Sequence, residues 1–159
     1  MILGLGIDVC DVARVRRALS GTAGGRFRAR VFTDAERAYC EARKGGRFAS
    51  YAARFAAKEA AMKALGTGWS NGVGWRDFEV VCGGDGPPSL ALHGAASVLA
   101  RRRGMARWLL ALSHDGGAAV ASVVVEAAPG VRGRGGSGVA ARRRGAGAGS
   151  ARRRSRARR

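Results

Sequence analysis

The sequence is poor in acidic residues, in histidine and in regularly spaced cysteine. Only 11 of its 159 residues are Asp or Glu, against 29 Lys and Arg. Its three cysteines lack Cys-x-x-Cys spacing and only two histidines are present, so we expect no structural zinc site. An odd number of unpatterned cysteines is typical of free thiols in a reducing compartment, and we therefore predict a cytoplasmic protein.

Long apolar segments are also missing. The chain has no stretch of 18 apolar residues, which excludes an ordinary membrane-spanning helix. Asp8 interrupts the apolar N-terminal run, and no basic segment precedes it, so we expect no signal peptide. A membrane is therefore not among the expected partners.

The formal net charge of +18 is unevenly distributed along the chain. Residues 128–159 carry 11 arginines and no acidic residue, and are otherwise mostly Gly, Ala and Ser. Such a segment has too little apolar surface to offset the entropy lost on ordering. We therefore predict one folded domain at residues 1–127 and a disordered, Arg/Gly/Ala-rich basic tail at residues 128–159.

Residues 54–66 place a carboxylate and an ammonium one helical turn apart. Glu59 and Lys63 are related as i and i+4, so their Cβ atoms lie about 6 Å apart on one helix face. Gly66 is a typical helix stop signal. Taken alone, the Glu59–Lys63 pair is best explained as an ordinary surface salt bridge.

A second carboxylate changes the interpretation of this pair. The apolar run at residues 1–9 predicts a strand that carries Asp8 near its end, where side chains commonly face a cleft. Mg²⁺ typically takes one or two carboxylates and leaves its other positions to water and phosphate. Asp8 and Glu59 together with an adjacent ammonium are therefore suited to phosphoryl chemistry.

The hydrophobic pattern predicts an α+β domain. Strands are predicted at 2–9, 75–82, 89–93, 108–113 and 118–126, the last two as a closing antiparallel hairpin. Helices are predicted at 11–20, 26–31, 34–44, 47–65 and 94–103, with Asp34 as the N-cap of the third.

Two motifs together resemble one enzyme family. Gly6-Ile7-Asp8, followed some fifty residues later by the run from Arg54 to Gly66, is similar to the holo-acyl-carrier-protein synthases, the small bacterial type of 4′-phosphopantetheinyl transferase. Other segments occur in the matching order: residues 32–36, 66–68 and 112–115. The resemblance covers roughly residues 1–127. It implies an antiparallel sheet with a long central helix, and a homotrimer whose active sites lie between subunits.

The resemblance also implies a reaction. Phosphopantetheine would pass from coenzyme A to a serine of an apo acyl carrier protein, in fatty acid or polyketide biosynthesis, and adenosine 3′,5′-bisphosphate would leave. Asp8 and Glu59 would bind Mg²⁺, and Lys63 would neutralise the pyrophosphate. Either Glu59 or a metal-bound water would deprotonate the serine. The residues do not distinguish these two bases, and they do not choose between a fatty-acid and a polyketide carrier.

Further coenzyme A contacts are expected from four residues: Lys58, Arg54, Gly66 and His114. His114 lies in a contiguous Ser-His-Asp string, but hydrolase triads are assembled from distant positions, so a triad is not predicted. A helix C-cap explains Gly66 equally well. Pro87 stands where relatives usually carry a basic residue, so that contact is missing here.

The basic first helix is expected to bind the carrier protein. Acyl carrier proteins are acidic, and the resemblance implies docking through this helix, with Arg14 and Arg17 as the predicted contacts. Complementary charge of this kind mainly raises the encounter rate and sets orientation.

One alternative belongs to another class, a basic nucleic-acid-binding protein built on an inactive transferase-like domain. The arginine triplets at 142–144 and 152–154 suit a polyanion. This alternative explains the tail, but it gives no reason for Asp8, Glu59 and Lys63 to occur together.

Overall fold

The computed structural model describes residues 1–68, 72–83 and 86–128. The tail predicted to be disordered lies outside the described residues from position 129 onward. The described strands are β1 (Ile2–Asp11), β2 (Phe78–Val81), β3 (Ser89–Leu92), β4 (Met105–Asp115) and β5 (Ala118–Ala127). The described helices are α1 (Val12–Ser20), α2 (Gly24–Val31), α3 (Asp34–Ala42), α4 (Arg47–Leu65) and α5 (Gly94–Arg102).

The strands form two antiparallel sheets. The larger has the order β1-β5-β4, and the smaller pairs β2 with β3. The pairing of β4 with β5 runs from Met105 opposite Ala127 to Asp115 opposite Ala118. The predicted α+β class, the antiparallel sheet and the closing hairpin are therefore confirmed.

Two local predictions are wrong. Thr33, not Asp34, caps α3: its hydroxyl accepts from the Glu36 N–H at 3.2 Å, while the Glu36 carboxylate accepts from the Thr33 N–H at 2.9 Å. This reciprocal capping box satisfies two otherwise unpaired amides. The predicted strand at 75–82 starts late, because residues Trp75–Asp77 form a 3₁₀ turn before β2 begins.

Helix α4 lies directly on the larger sheet because both surfaces are made of small residues. A Cβ atom added at Gly6 would lie 1.9 Å from the carbonyl oxygen of Ala60, and one at Gly4 would lie 2.2 Å from that of Ala64. Only glycine permits this approach of backbone to backbone. The alanine-rich helix is thereby brought against β1, the strand that carries Asp8.

The pleat of β1 sends alternate side chains to opposite faces of the sheet. Asp8 shares the α4 side with Gly6 and lies opposite Ala121 of β5, a residue that is fully buried. Leu5, Ile7 and Val9 point to the other side, where they are 60–68% exposed. The larger sheet therefore has one packed face and one apolar face that nothing in the described chain covers.

Within the described ranges, every helix is too short or too polar to cross a membrane.

Candidate active site

Strand β1 and helix α4 bring three predicted site residues together. The Lys63 ammonium donates to Asp8 Oδ1 at 2.8 Å and to the Ile7 carbonyl oxygen at 2.9 Å. Glu59 lies one turn before Lys63 on the same helix. Lys63 therefore pairs with the strand, and the simple Glu59–Lys63 surface bridge is not the arrangement that the structure adopts.

Glu59 lies in an electrostatically unfavourable place for a carboxylate. Burial raises the pKa of Glu59 above its ordinary value, and the charge of Asp8 raises it further, while Lys63 and Arg14 oppose the shift. Two carboxylates that repel each other gain stability from a bound cation.

The donor set fits Mg²⁺ in one particular way. The described residues contain no cluster of three or more His, Cys, Asp or Glu side chains able to hold a metal. Within the described residues, the acidic donor set at this place is therefore the two carboxylates of Asp8 and Glu59. Mg²⁺ accepts such a set, because it commonly keeps several waters and binds substrate phosphate.

Arg14 lies beside the carboxylates. Its backbone N–H donates to the Asp11 side chain at 2.7 Å, which caps α1 and places Arg14 in the first turn. Its charge acts on Glu59, and its side chain is exposed. Arg17, one turn later, is exposed as well. Both arginines of the predicted docking helix are therefore accessible, and Arg14 borders the site.

A second group of predicted residues lines a separate cavity. Arg54 and His114 face a cavity of about 500 Å³, together with Tyr39, Arg43, Ser50, Ala53, Cys82, Gly86, Pro88 and Leu112. Arg43 was missed in the sequence, where one arginine at a helix end carries no distinguishing signal. Gly86 and Pro88, on either side of Pro87, border the cavity, so the segment where the resemblance implies a basic residue lies at the cavity edge.

Arg54 is held rigidly at the cavity wall. It is only 3% exposed, and its guanidinium carbon lies 4.0 Å from the centre of the Tyr39 ring. It donates to the Ser50 carbonyl oxygen at 3.4 Å and to Cys82 Sγ at 3.3 Å. This positions a positive charge at the cavity surface with little loss of side-chain entropy on ligand binding.

The two groups face different directions in one chain. Arg54 and Glu59 are five positions apart on α4, which corresponds to a rotation of about 140° around the helix axis. Asp8, Glu59 and Lys63 are absent from the residues that line the Arg54 cavity. The residues predicted to contact one coenzyme A molecule are therefore divided between two surfaces.

The structure does not support Lys58 as a coenzyme A contact. Its side chain is fully buried and forms a 2.8 Å ion pair with Glu36, which is also fully buried. The ammonium also donates to the carbonyl oxygens of Trp75 and Phe78. Burial lowers the pKa of Lys58, and the Glu36 carboxylate opposes this shift. An ammonium enclosed in this way joins α4 to α3 and β2 and cannot reach a solvent-borne phosphate.

Gly66 adopts the capping role that the sequence left open. Its φ of 75° lies in the left-handed region, and its N–H donates to the carbonyls of Met62 and Lys63 at 3.0 Å. Arg103 donates to the neighbouring Leu65 carbonyl. The Gly66 amide is therefore occupied in ending α4, although the following turn is exposed.

Comparison with known proteins gives a consistent family. Residues 4–123 match the model of the 4′-phosphopantetheinyl transferase superfamily. The holo-[acyl-carrier-protein] synthase of Anaeromyxobacter dehalogenans is 60% identical over 130 residues, which cover 80% of this chain and 98% of the relative.

Solved structures agree with this result. The Neisseria meningitidis holo-[acyl-carrier-protein] synthase has a TM-score of 0.71 at 32% identity, covering 79% of this chain and 99% of that one. The Bacillus anthracis holo-(acyl-carrier-protein) synthase, solved in complex with CoA (3′,5′-ADP), has a TM-score of 0.65 at 35% identity, covering 80% and 99%.

Proposed function

Because the chain belongs to the holo-[acyl-carrier-protein] synthases of the 4′-phosphopantetheinyl transferase superfamily, we propose that it transfers phosphopantetheine from coenzyme A to a serine of an apo acyl carrier protein. The observation that carries this proposal is the meeting of Asp8, Glu59 and Lys63 where β1 packs on α4. Two carboxylates and a half-exposed ammonium in one place suit a pyrophosphate substrate.

Asp8 and Glu59 are the residues that would hold Mg²⁺. When bound, the cation supplies positive charge against the pyrophosphate of coenzyme A. Charge balance supports this assignment, since burial and, after it, the negative charge of Asp8 raise the pKa of Glu59, and a bound cation would offset both effects.

Lys63 is proposed to act on the pyrophosphate directly. The serine oxygen attacks the β-phosphorus, the bond from this phosphorus to the bridging oxygen breaks, and adenosine 3′,5′-bisphosphate leaves. Lys63 is half exposed and borders the carboxylates, so its ammonium can neutralise the charge that develops on the bridging oxygen and donate a proton to it. Glu59 is one candidate base for the serine, because a raised pKa brings a carboxylate closer to the range useful for proton transfer.

We propose that the nucleotide portion of coenzyme A binds in the Arg54 cavity. Arg54, His114 and Arg43 offer three nitrogen-rich side chains to phosphate. Because this cavity and the Asp8–Glu59 pair lie on different faces of one chain, a single coenzyme A would contact both only where two copies meet.

The exposed apolar face of the larger sheet supports such an assembly. Leu5, Ile7 and Val9 form a row on β1 and are 60–68% exposed, with Leu109 of β4 also on the surface. Contiguous exposed apolar surface typically marks an interface. We propose that copies of this chain cover this face in a homotrimer and that the active sites lie at the subunit junctions.

Carrier docking is assigned to the exposed arginines of α1. Arg14 borders the carboxylate pair, so an acidic partner bound there would bring its serine near the site. Replacing Arg17 by Glu should raise KM for the carrier and leave KM for coenzyme A unchanged. Arg14→Glu should raise KM for the carrier and also change KM for coenzyme A, because it places a further carboxylate beside Glu59. Arg101→Glu is the matched control, because Arg101 is also exposed but lies on α5, which packs against β4.

The deciding experiment measures the mass of apo acyl carrier proteins after incubation with this protein, coenzyme A and Mg²⁺. We expect a gain of one phosphopantetheine group, lost with EDTA and with Asp8→Asn or Glu59→Gln. The control Glu126→Gln should keep full activity, because the ion pair of Glu126 in the described ranges is a single surface pair with Arg107 at 3.4 Å. No gain with any fatty-acid or polyketide carrier, from folded protein, would refute the function; the carriers that do react identify the pathway.

The junction proposal has its own test. Glu59→Gln and His114→Ala subunits are denatured together, refolded and assayed. A mixed assembly contains junctions with Glu59 from one copy and His114 from another, so its activity should exceed the average of the two variants. The assembly would be contradicted if light scattering showed that the active protein is a monomer, or if the activity of the mixture equalled the average of the two variants. Either result would leave the transferase function intact.

A further inference from the structure

The three cysteines of the chain lie in different environments. Cys10 and Cys40 are buried, and burial raises the pKa of both thiols, that of Cys40 to about 12. Cys82 is partly exposed and opens onto the Arg54 cavity. Arg54 Nη2 donates to its sulfur at 3.3 Å. Reactive cysteines occupy partly exposed, electropositive surroundings, whereas buried ones are inert. Only Cys82 meets this description.

The cavity beside Cys82 is suited to an anion independently of the thiol. Arg43, Arg54 and His114 line it, and none of the described lining residues is acidic. The Arg54 side chain is buried, and its Nε atom has no hydrogen-bond partner in the described parts of the chain. Ser50, Cys82 and Tyr39 hold the Arg54 guanidinium at the cavity wall, so its positive charge attracts an anion without having to be reoriented. An anionic molecule drawn into the cavity would come next to the Cys82 sulfur.

We propose that Cys82 is a modification site for anionic low-molecular-weight disulfides of the glutathione disulfide type. The Cys82 thiolate attacks one sulfur of the disulfide, the sulfur–sulfur bond of the reagent breaks, and a mixed disulfide forms on Cys82. The departing thiolate takes up the proton that Cys82 released. The disulfide itself is the oxidant, and a thiol reductant reverses the step.

The adduct would occupy the cavity and exclude coenzyme A. This consequence rests on the proposed function, because it assumes that the nucleotide binds there. The selective reaction of Cys82 does not rest on it.

The first experiment treats the full chain with glutathione disulfide, or with neutral hydroxyethyl disulfide, at low salt. Intact-mass measurement and peptide mapping follow adducts on all three cysteines. We expect Cys82 to react at least about tenfold faster than Cys10 and Cys40, which are protected by burial. Relative to a free cysteine peptide, the anionic reagent should be favoured over the neutral one. Arg43→Gln should reduce this preference, since Arg43 is an exposed cavity residue. First reaction at Cys10 or Cys40, or no preference for the anionic reagent, would overturn the proposal.

The second experiment measures coenzyme A binding by calorimetry before and after modification, with each protein's own untreated affinity as reference. Treated wild type should lose binding and regain it with dithiothreitol, whereas treatment should not change the affinity of Cys82→Ser. Unchanged binding by fully modified wild type would refute the exclusion. If untreated protein binds no coenzyme A, the proposed function fails, and the labelling comparison still decides the site.

Discussion

Replacement of Lys58 by methionine tests whether this lysine is a buried structural partner of Glu36 and not a contact of coenzyme A. Methionine has a similar length and no charge, so it can fill the same space in the core. The substitution leaves the Glu36 carboxylate buried without its cation, at a site where the ion pair measures 2.8 Å and both side chains are fully buried. The carbonyls of Trp75 and Phe78 lose a donor at the same time.

The expected loss is large. Removing one partner of a buried ion pair costs about 3–5 kcal/mol, because the remaining charge is uncompensated. Loss of the ammonium donor to the carbonyls of Trp75 and Phe78 increases this cost. The N–H groups of Thr33 and Val80, which donate to Glu36 at 2.9 Å, reduce it. We therefore expect the free energy of unfolding to fall by about 4 kcal/mol. For a domain of this size, the midpoint of thermal unfolding should fall by about 15 °C.

The assay is urea unfolding, combined with steady-state kinetics at a temperature where the variant is folded. Lys58→Met should leave KM for coenzyme A within about twofold of wild type, since the ammonium does not reach solvent. The double variant with Glu36→Gln should recover part of the stability, because the neutral amide removes the uncompensated charge and still accepts hydrogen bonds from the Thr33 and Val80 N–H groups. A loss below about 1 kcal/mol together with a large rise in KM would refute this reasoning and restore Lys58 as a phosphate ligand.

Three further predictions follow from the same structure. Gly6→Ala should lower the free energy of unfolding by about 3 kcal/mol, because its Cβ would lie 1.9 Å from the Ala60 carbonyl oxygen; the control Gly25→Ala, in a helix and with open space around it, should not destabilise. Asp8→Asn should lower the pKa of Glu59, measured by carboxyl-carbon NMR, and an unchanged pKa would contradict the proposed repulsion. In wild type the raised pKa means that ionising Glu59 reduces stability as pH rises through the folded-state pKa. Deletion of residues 128–159 should leave transferase activity near normal, whereas loss of the main function would favour the nucleic-acid-binding alternative.

The sequence predicted helices and strands correctly where neighbouring residues alone determine where the element begins and ends. The range of α4 is confirmed at both ends, because an alanine-rich run gives it helix propensity and Gly66 ends it in the left-handed region. The 3₁₀ turn at residues 75–77 was not predicted, because Trp75 is apolar and the pattern of residues 75–82 is that of one continuous strand. Its placement depends on Gly74 and Asp77, whose N–H and carboxylate bond at 3.2 Å.

The pairing of Asp8 with α4 was predictable only in outline. Strand alternation predicts that Asp8 shares a face with Gly6. Glycines at positions 4 and 6 indicate that another element approaches that face closely. The identity of the approaching element came from the resemblance to a family. The direct bond between Lys63 and Asp8 emerged only when strand and helix were packed together.

The chain's own residue order was enough to specify the helix that carries Glu59, the strand that carries Asp8 and the excess of charge in the tail, since each depends on neighbours within a few positions. Tertiary structure decided that Lys58 is buried and Lys63 exposed, although both are lysines on one helix. The physical reason is that α3 and β2 cover one side of α4 and supply the Glu36 carboxylate, whereas Lys63 on the other side pairs with Asp8 and stays half exposed. Helical rotation separates the two lysines, but only long-range packing determines which of them meets solvent.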